Sequence, residues 1–472
     1  MSGADIILAN SYFIARDRKH QRIEGPFPPL GLLYLAAVLR EKGHGVQIFD
    51  GTFKPGPREF GSAIDAVRAK TVGIYSTVIS RDSALEMASI AKGKGCTVLA
   101  GGPDPSSSPM IYLRGDVDVV GIGEGEETIL ELATELDKGD LARVRGIAYK
   151  EDGHVSRTPP RETITDLDAL PLPARDLVDM GAYLDRTRRY HGHSQTTIMT
   201  SRGCPFHCTW CAKPVFGSKY RHRSPAKVAD EMLQLKDTYH PEEVRFADDV
   251  FTMNRKLTLQ LCDEIEKKGA AIPFECLSRV DLMDSELIDR LRQVGCRRVL
   301  YGIESGSQKV LHSMRKGITL DEVFEVSRLT KASGIEQYWF LIFGYPTEGA
   351  KDIKATMRLV RSLVPEGFGI TLAYPLPETE FFETVKSTMK EGEHWRMGRD
   401  NALMYRANYP ATFYKACILG TRAVHATASA RNKRPGIFSA ILDKVVAWGA
   451  ETMVDVFDGL TAGEDGPLQA EC

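Results

Sequence analysis

The stretch Ser201-Arg-Gly-Cys-Pro-Phe-His-Cys-Thr-Trp-Cys211 carries three of the nine cysteines of the chain within eight residues. Three thiolates at spacings of four and three residues fit around one cubic iron–sulfur cluster on a loop and leave its fourth iron open. Ferredoxin-type sequences supply four cysteines per cluster, so three cysteines indicate a position reserved for a substrate or cofactor. A zinc site is the alternative, because His207 or His222 could supply the fourth ligand that zinc prefers.

The other six cysteines are scattered, and an odd total in a long chain is not the pattern of a disulfide framework. We expect most of them to be buried thiols, since free cysteine packs as a small hydrophobic residue. They are Cys96, Cys262, Cys276, Cys296, Cys417 and Cys472.

Composition bounds the class of protein. A length of 472 residues predicts two to three domains, and 43% apolar residues suffice for their cores. A net charge of −2 and a pI near 6.6 argue against a nucleic-acid partner. The longest apolar run, Leu30–Leu39, is too short to span a bilayer, and Met1–Asn10 lacks the basic region of a signal peptide. We therefore expect a cytoplasmic protein without a transmembrane segment.

Apolar strands alternate with helices on both sides of the cysteine loop, so the fold class is α/β. Residues 191–385 contain six predicted βα units, which indicate a partial (β/α)6 barrel with its active site at the carboxyl ends of the strands. The predicted strands are Thr196–Thr200, Val244–Phe246, Phe274–Leu277, Arg298–Ile303, Gln337–Phe343 and Gly369–Ala373.

Residues 1–150 show the same alternation, which predicts a doubly wound, Rossmann-like parallel sheet. Such sheets bind ligands beyond the carboxyl ends of their strands, where this sequence places several glycines. Residues 151–190 form a predicted linker, whose prolines favour an extended path. Residues 386–472 lack the βα rhythm and are predicted to be mostly helical.

The cysteine spacing, with aromatic Trp210 before the last cysteine, resembles the signature of the radical S-adenosylmethionine (SAM) superfamily. Further motifs follow in the order of that family: Phe246-Ala-Asp-Asp-Val-Phe251, Ser278-Arg-Val-Asp281, Tyr301-Gly-Ile-Glu-Ser-Gly-Ser307 and Phe340-Leu-Ile-Phe-Gly-Tyr-Pro-Thr-Glu348. The resemblance implies that Cys204, Cys208 and Cys211 hold a [4Fe–4S] cluster whose open iron chelates SAM. In this family one electron from the cluster cleaves SAM to methionine and a 5′-deoxyadenosyl radical.

The same resemblance implies a set of SAM contacts. Arg279 would pair with the SAM carboxylate, Glu304 would accept from its amine or ribose, and Ile342 and Phe343 would pack the adenine. The alternatives are a structural ion pair between Arg279 and Asp281, and a helix-capping role for Glu304. The full set is Trp210, Ala247, Asp248, Asp249, Ser278, Arg279, Glu304, Ile342 and Phe343.

The N-terminal domain resembles the cobalamin-binding domain that precedes many radical SAM domains. The resemblance rests on Pro28–His44, Ile48-Phe-Asp50, Gly73–Thr77, Gly101-Gly-Pro103 and Gly121–Glu126. Similar families include class B methylases, the anaerobic magnesium-protoporphyrin ester cyclase and hopanoid-modifying enzymes. The implied cobalamin contacts are Ser76, Thr77, Gly101, Gly102, Pro103, Gly121, Gly123 and Glu124.

Two departures from the family pattern matter. The chain has no Asp-x-His-x-x-Gly motif, so we expect cobalamin without a histidine as its lower ligand; the alternative is a domain kept for packing. In Pro375-Leu-Pro-Glu-Thr379, glutamate replaces the glycine that relatives carry. Because Glu378 adopts positive φ less readily than glycine, we expect the last barrel loop to take a different path.

The C-terminal region contains a helical stripe of apolar residues between Ile437 and Val446, preceded by the basic stretch Arg431-Asn-Lys-Arg434. The stripe predicts either packing on the barrel or peripheral contact with a membrane surface.

Together these features predict an enzyme that methylates an unactivated carbon of a small natural-product, lipid or tetrapyrrole-type molecule. Alternatives are cyclisation or rearrangement, and group transfer from SAM without cobalamin. A non-enzymatic alternative is a zinc-stabilised sensor of cobalamin or a nucleotide. The enzyme would need an external one-electron donor of the flavodoxin or ferredoxin type.

Overall fold

The computed structural model describes residues 6–23, 25–136, 138–390 and 402–461. Its N-terminal part begins with a sheet and its helices. The elements in chain order are β1 (Ile6–Asn10), α1 (His20–Ile23), α2 (Leu30–Glu41), β2 (Val46–Asp50), α3 (Arg58–Val67), β3 (Thr71–Tyr75), α4 (Arg81–Gly93), β4 (Thr97–Gly101), α5 (Pro103–Ser107), α6 (Pro109–Leu113), β5 (Val119–Gly121), α7 (Glu126–Glu135), β6 (Ile147–Glu151) and β7 (His154–Arg157).

The N-terminal sheet has the strand order β2-β1-β3-β4-β5-β6-β7, and its first five strands are parallel. Both faces are buried at its central strands. In β1, Ile7 and Ala9 join the core under α3 and α4, while Ile6 and Leu8 join the core under α2. Burial on both faces explains why these strands are continuous apolar runs, and it confirms the predicted α/β class.

The sheet continues past the predicted parallel strands. β6 pairs antiparallel with β5, and β7 pairs antiparallel with β6. The turn between them holds Asp152 at φ 47° and Gly153 at φ 80°, and two positive φ values match the twist of a two-residue hairpin. The sequence analysis did not predict this hairpin, for which the Asp-Gly pair was the available signal.

The predicted linker contains a helix that joins the two domains. This helix, α8 (Met180–His191), begins at Asp179, whose side chain accepts from the Ala182 N–H, and ends at Gly192 in the left-handed conformation. The Tyr183 hydroxyl donates to the Asp50 carboxylate at 2.5 Å, beside the end of β2. The segment therefore positions the barrel against the N-terminal sheet.

The barrel domain is an open, wholly parallel sheet with the order β15-β14-β13-β12-β11-β8. Its elements, with the ribbon β9–β10 and the helix that follows the last strand, are β8 (Gln195–Ile198), β9 (Ser201–Arg202), β10 (Arg221–His222), α9 (Pro225–Thr238), β11 (Glu243–Phe246), α10 (Arg255–Lys268), β12 (Phe274–Ser278), α11 (Ser285–Gln293), β13 (Cys296–Glu304), α12 (Gln308–Ser313), α13 (Leu320–Ala332), β14 (Glu336–Phe343), α14 (Ala350–Leu363), β15 (Gly367–Leu372) and α15 (Glu380–Val385). The six predicted strands all form.

Side-chain caps fix where the barrel helices begin. Ser224, Asn254, Asp284, Thr319 and Thr379 each accept a backbone N–H from the first turn of the helix that they precede. Each cap satisfies a donor that the helix leaves free, and such caps typically contribute about 1 kcal/mol. The caps therefore fix where the loops at the carboxyl ends of the strands end, and these loops form the site.

The C-terminal region is a pair of helices, α16 (Ala411–Lys433) and α17 (Ile437–Thr461), packed on α14. Buried Asp443 of α17 accepts from Arg361 of α14 and Arg431 of α16. Residues 391–401 and 462–472 of the predicted helical region lie outside the described residues.

The predicted packing of the apolar stripe on the barrel is wrong for most of its members. The α17 side chains that pack inward are small ones, such as Ala447 and Ala450, together with Val454. Ile437 and Phe438 are 72% and 86% exposed, because the close contact between helices takes the small-residue face. In the described ranges no helix is long and apolar enough to cross a membrane.

The scattered cysteines confirm the prediction of buried thiols. Cys96, Cys262, Cys276, Cys296 and Cys417 are buried and unpaired. Cys472 lies outside the described residues.

Candidate functional site

The cysteine loop connects the antiparallel strands β9 and β10. The Lys213 ammonium group donates to the Cys204 carbonyl at 2.7 Å and to the Phe206 carbonyl, which closes the loop on itself. Burial, with the neighbouring Cys208 thiol, raises the pKa of Cys211 to about 12, and burial also raises the pKa of Cys204. The Cys204 and Cys211 thiols stay protonated at neutral pH, so a bound metal must displace their protons.

The three thiols fit the donor set of an iron–sulfur cluster better than that of a four-ligand zinc site. His207 is exposed, and His222 faces the Arg223 carbonyl at 3.1 Å. The sequence alternative that added a histidine to the cysteines therefore has no geometric support.

Asp248 anchors the start of the cysteine loop. One carboxylate oxygen accepts from the Thr200 and Ser201 hydroxyls at 2.9 and 2.6 Å and from both of their backbone N–H groups. The other oxygen is buried and has no partner among the described residues. Burial raises the pKa of Asp248 to about 6. Asp248 thus ties β11 to the loop, and its contact with SAM stays a prediction.

Arg279 is a second anchor. Its guanidinium donates to both carboxylate oxygens of Asp281 at 2.9 and 3.0 Å and to the Lys316 carbonyl at 2.6 Å. It also lies 3.6 Å from the ring centroid of Phe206, inside the cysteine loop. The ion pair that the sequence left open is present, and Arg279 holds the loop against β12 through a cation–π contact.

Three further predicted SAM residues, Glu304, Ile342 and Phe343, lie deeper in the barrel. Glu304 has φ 64° and accepts from the Lys316 ammonium group at 2.9 Å. Ile342 and Phe343 belong to the buried barrel core. Left-handed backbone at a non-glycine residue costs of order 1–3 kcal/mol, and such strain clusters at binding sites.

Two more members of the predicted set are Ser278, the last residue of β12, and Trp210, in the cysteine loop. Ser278 shares a hydrogen bond with Thr252. The indole Nε1 of Trp210 is buried without a hydrogen-bond partner among the described residues.

A cavity of about 850 Å³ lies between the carboxyl end of the N-terminal sheet and the barrel. Two predicted SAM residues, Ala247 and Asp249, line it next to Ala212–Phe216 of the segment that follows the last cluster cysteine. Burial raises the pKa of Asp249, while nearby Lys213 lowers it. The cavity therefore reaches the edge of the predicted cluster and SAM site.

The opposite wall consists of the predicted cobalamin loops. Thr77, Gly101, Gly102, Pro103, Gly121, Gly123 and Glu124 all line the cavity. Gly102 has φ 107°, and a Cβ there would lie 2.7 Å from the Ser76 carbonyl oxygen, so the loop requires glycine. Ser76 itself is buried, and its hydroxyl accepts a hydrogen bond from the Tyr112 hydroxyl at 2.8 Å. The cavity is large and mostly apolar, and the backbone of the glycine loops forms this wall. These properties fit a macrocycle such as cobalamin.

A buried ion-pair network joins the two walls. Arg202 of β9 donates to Glu124 at 2.8 Å and to Glu126 at 2.6 Å, and Arg221 of β10 donates to Glu124 at 2.6 Å. All four side chains are at most 7% exposed. Glu124 was predicted to contact cobalamin; in the structure its carboxylate binds the arginines of the cysteine-loop ribbon.

Sequence reasoning missed several lining residues. Arg245 of β11 pairs with Glu275 and lies 4.8 Å from the Phe27 ring centroid, at the cavity wall. Lys213 follows the last cysteine by two residues. A charged residue within an apolar strand, and a lysine beside a cysteine cluster, were the available signals.

The last barrel loop carries a strained residue at the position where the sequence departs from its relatives. Glu378 adopts φ 66°, in the left-handed region that glycine enters more readily. The surrounding loop holds this conformation, and the different path of the loop stays a prediction.

Glu348 is the last residue of the motif that runs from Phe340 at the end of β14, and it is fully buried. One carboxylate oxygen accepts from the Gly344 N–H at 2.6 Å, and the other has no partner among the described residues. Burial, reinforced by Asp352, raises the pKa of Glu348 to about 8. The side chain is therefore mainly a neutral acid at pH 7.

We expect the Glu348 side chain to make the protein less stable as the pH rises. Its folded pKa exceeds the unfolded value of 4.5, so its contribution is complete below about pH 4.5 and is lost as the pH rises through about 8. The slope reaches about 1.4 kcal/mol per pH unit. Glu348→Gln should flatten the dependence of the unfolding free energy between about pH 5 and pH 8. Parallel curves for the two proteins in anaerobic urea titrations would contradict this.

Comparison with known proteins agrees with the geometry. Residues 198–360 match the Radical SAM superfamily, and residues 21–133 match the B12 binding domain. An uncharacterized methyltransferase of Pyrococcus horikoshii is 33% identical over 381 residues, covering 78% of this chain and 81% of that protein. An anaerobic magnesium-protoporphyrin IX monomethyl ester cyclase of Synechocystis is 28% identical over 320 residues, covering 65% of this chain and 63% of that protein.

A solved structure shares the fold. The cobalamin-dependent S-adenosylmethionine radical enzyme OxsB, with aqua-cobalamin and S-adenosylmethionine bound, superposes with a TM-score of 0.73 at 18% identity. The match covers 97% of this chain and 72% of OxsB, so both domains and the C-terminal helices have counterparts in one fold. The chain belongs to the B12-binding radical SAM superfamily, as an enzyme with a [4Fe–4S] cluster, SAM and cobalamin as its cofactors.

Proposed function

We propose that this enzyme transfers a methyl group from SAM to an unactivated carbon of a small, largely apolar molecule of natural-product, lipid or tetrapyrrole type. The observation that carries the proposal is the cavity of about 850 Å³ shared by the glycine loops of the N-terminal sheet and the segment after the cysteine loop. A methyl donor on one wall and a radical source on the other would meet the substrate in one enclosed space. The 33% identical methyltransferase supports this reaction class.

The residues take separate tasks in this proposal. Cys204, Cys208 and Cys211 would hold the cluster, and Asp249, on the cavity wall, would accept from the SAM amine. Bound together, the cofactors supply a carbon-centred radical and a transferable methyl group. Arg279 and Asp248 keep the cysteine loop in place through Phe206 and Thr200.

The loops of the N-terminal sheet would hold the corrin ring against Gly101, Gly102, Gly121 and Gly123, which line the cavity. At Gly101 a Cβ would meet no atom within 4 Å, so any side chain there would project into free space that a flat ligand can occupy. The apolar walls exclude water, which protects a radical from quenching. A one-electron donor of the flavodoxin or ferredoxin type supplies the reducing electron from outside the chain.

Ring formation or rearrangement is the second candidate. It is favoured by the similarity to the magnesium-protoporphyrin ester cyclase, whose radical chemistry would use the same two cofactor sites. This chain spans 63% of the cyclase, so the activity of the cyclase supports an assignment for this chain less strongly than that of the methyltransferase does.

Product analysis separates the two candidates. Anaerobic protein would be incubated with SAM carrying a deuterated methyl group, a reductant and extracts of candidate small molecules. Methyl transfer consumes SAM in two ways, so 5′-deoxyadenosine and S-adenosylhomocysteine should form in similar amounts, each tracking a product with a deuterated methyl. Deoxyadenosine that forms without adenosylhomocysteine, alongside a product of unchanged methyl content, would overturn methyl transfer in favour of cyclisation or rearrangement. The Cys208→Ala variant controls for nonenzymatic breakdown of SAM.

A further inference from the structure

The outer side of α17 carries an apolar face that no described part of the chain covers. The eight residues of this α17 face are between 53% and 86% exposed, and they are Ile437, Phe438, Ile441, Leu442, Val445, Trp448, Val456 and Leu460. Soluble proteins rarely leave a contiguous apolar surface of this kind open to water, and such patches mark contact with a protein or a membrane.

Helix geometry makes the face one-sided. At 3.6 residues per turn its members fall within an arc of about 140° of the helix circumference. The opposite arc holds buried Asp443, Ala447, Ala450 and Val454, which contact α14 and α16. One charged residue, Asp455, falls at the edge of the arc in line with Ile437, and it pairs with Lys354. A helix with one face fixed to protein cannot insert across a bilayer, but its free face can lie along one.

Unpaired cations border the face at its start. Lys433, Arg434 and Lys444 are exposed, and their side chains make no ion pair or hydrogen bond with any described residue. The nearby acidic groups are already used within the chain: Glu451 pairs with Arg358, and Asp455 pairs with Lys354. The border of the face therefore carries uncompensated positive charge.

We propose that α17 lies on the surface of an anionic lipid bilayer. Phe438 and Trp448, the two most exposed aromatic residues of the face, enter the boundary between headgroups and acyl chains. Lys433, Arg434 and Lys444 contact the lipid phosphates, each adding to the attraction. A second copy of the chain that packs through the same face suits it less well, because Glu451 and Asp455 on α17 are already paired with Arg358 and Lys354. The binding is independent of the reaction that the cavity performs.

The test uses the full-length protein under anaerobic conditions. Its cosedimentation would be measured with phosphatidylcholine vesicles that contain or lack phosphatidylglycerol. Binding should be strong with the anionic vesicles, weaker with the neutral ones and reduced by salt. The double variant Phe438→Ser/Trp448→Ser should lower the partition coefficient about tenfold or more. The triple variant Lys433→Gln/Arg434→Gln/Lys444→Gln should abolish the preference for anionic vesicles.

Leu419→Ser is the matched control, since Leu419 is 64% exposed on α16 but lies outside the α17 face. It should leave vesicle binding unchanged, and all variants should keep the wild-type circular dichroism and iron content. Absence of vesicle binding overturns the proposal in two distinguishable ways. A wild-type dimer in light scattering that Phe438→Ser/Trp448→Ser converts to a monomer would assign the face to a second copy. A wild-type protein that is monomeric and does not bind vesicles would show that the face binds neither lipid nor a second copy.

Discussion

Replacing Cys204, Cys208 and Cys211 together by alanine should remove all iron from the protein and abolish 5′-deoxyadenosine formation. The anaerobically reconstituted wild type should hold about four irons and four sulfides. The variant loses the only three cysteines that share one loop in the described structure, and Lys213 would then close an empty loop through the Cys204 and Phe206 carbonyls. Iron and sulfide assays and the visible absorbance measure the loss.

The control must remove a cysteine without touching the loop. Cys96→Ala deletes a buried, unpaired thiol of the N-terminal sheet domain, and it should keep the full iron content. Retention of a cluster by the triple variant, or stoichiometric zinc in the wild type, would contradict the assignment of these ligands. Stoichiometric zinc would also favour the alternative that the protein is a zinc-stabilised sensor of cobalamin or a nucleotide.

The strand pattern was predictable because it depends on burial that neighbouring residues share. Strands such as β1 and β14 are apolar on both faces, so their runs stand out from the amphipathic helices. Glycines at strand ends marked the correct edge of the N-terminal sheet, and all but one of the predicted cobalamin residues line the cavity.

The contacts inside the site were less predictable, because a residue type does not reveal its partner. Asp248 and Arg279 occur in motifs that suggest SAM contacts. In the structure one Asp248 oxygen is engaged with Ser201, and Arg279 is engaged with Asp281 and the Lys316 carbonyl. The period of α17 revealed an apolar stripe but not its direction, since small residues on the other face allowed closer packing.

The network between the domains was beyond sequence reasoning altogether. Arg202 and Glu124 are 78 residues apart in the chain, and both residue types are normally exposed. Only the folded structure brings the loop after β5 to the ribbon β9–β10. This contact sets the distance between the walls of the cavity, so it is the place where a single substitution should have a large effect.

Arg202→Met should lower the free energy of unfolding by about 3–5 kcal/mol, the usual cost of removing one partner from a buried ion pair. Methionine is similar in length, so the change removes charge more than volume. It leaves the Glu126 carboxylate without its ion-pair partner among the described residues, since Glu126 pairs there with Arg202 alone at 2.6 Å, whereas Glu124 keeps Arg221. Anaerobic urea unfolding, with cobalamin content as a second readout, measures the effect.

Two variants separate the stranded charge from a packing defect. Adding Glu126→Gln to Arg202→Met removes the unpaired carboxylate, so it should recover part of the lost stability. Arg188→Met is the exposed counterpart: Arg188 and its partner Glu242 have side chains 52% and 49% exposed, so its loss should cost about 0–1 kcal/mol. Equal losses for Arg202→Met and Arg188→Met, or no recovery in the double variant, would show that the network does not hold the walls together. Since Arg202 belongs to the cysteine-loop ribbon and Glu126 begins α7, recovery would tie the cluster loop energetically to the cobalamin loops.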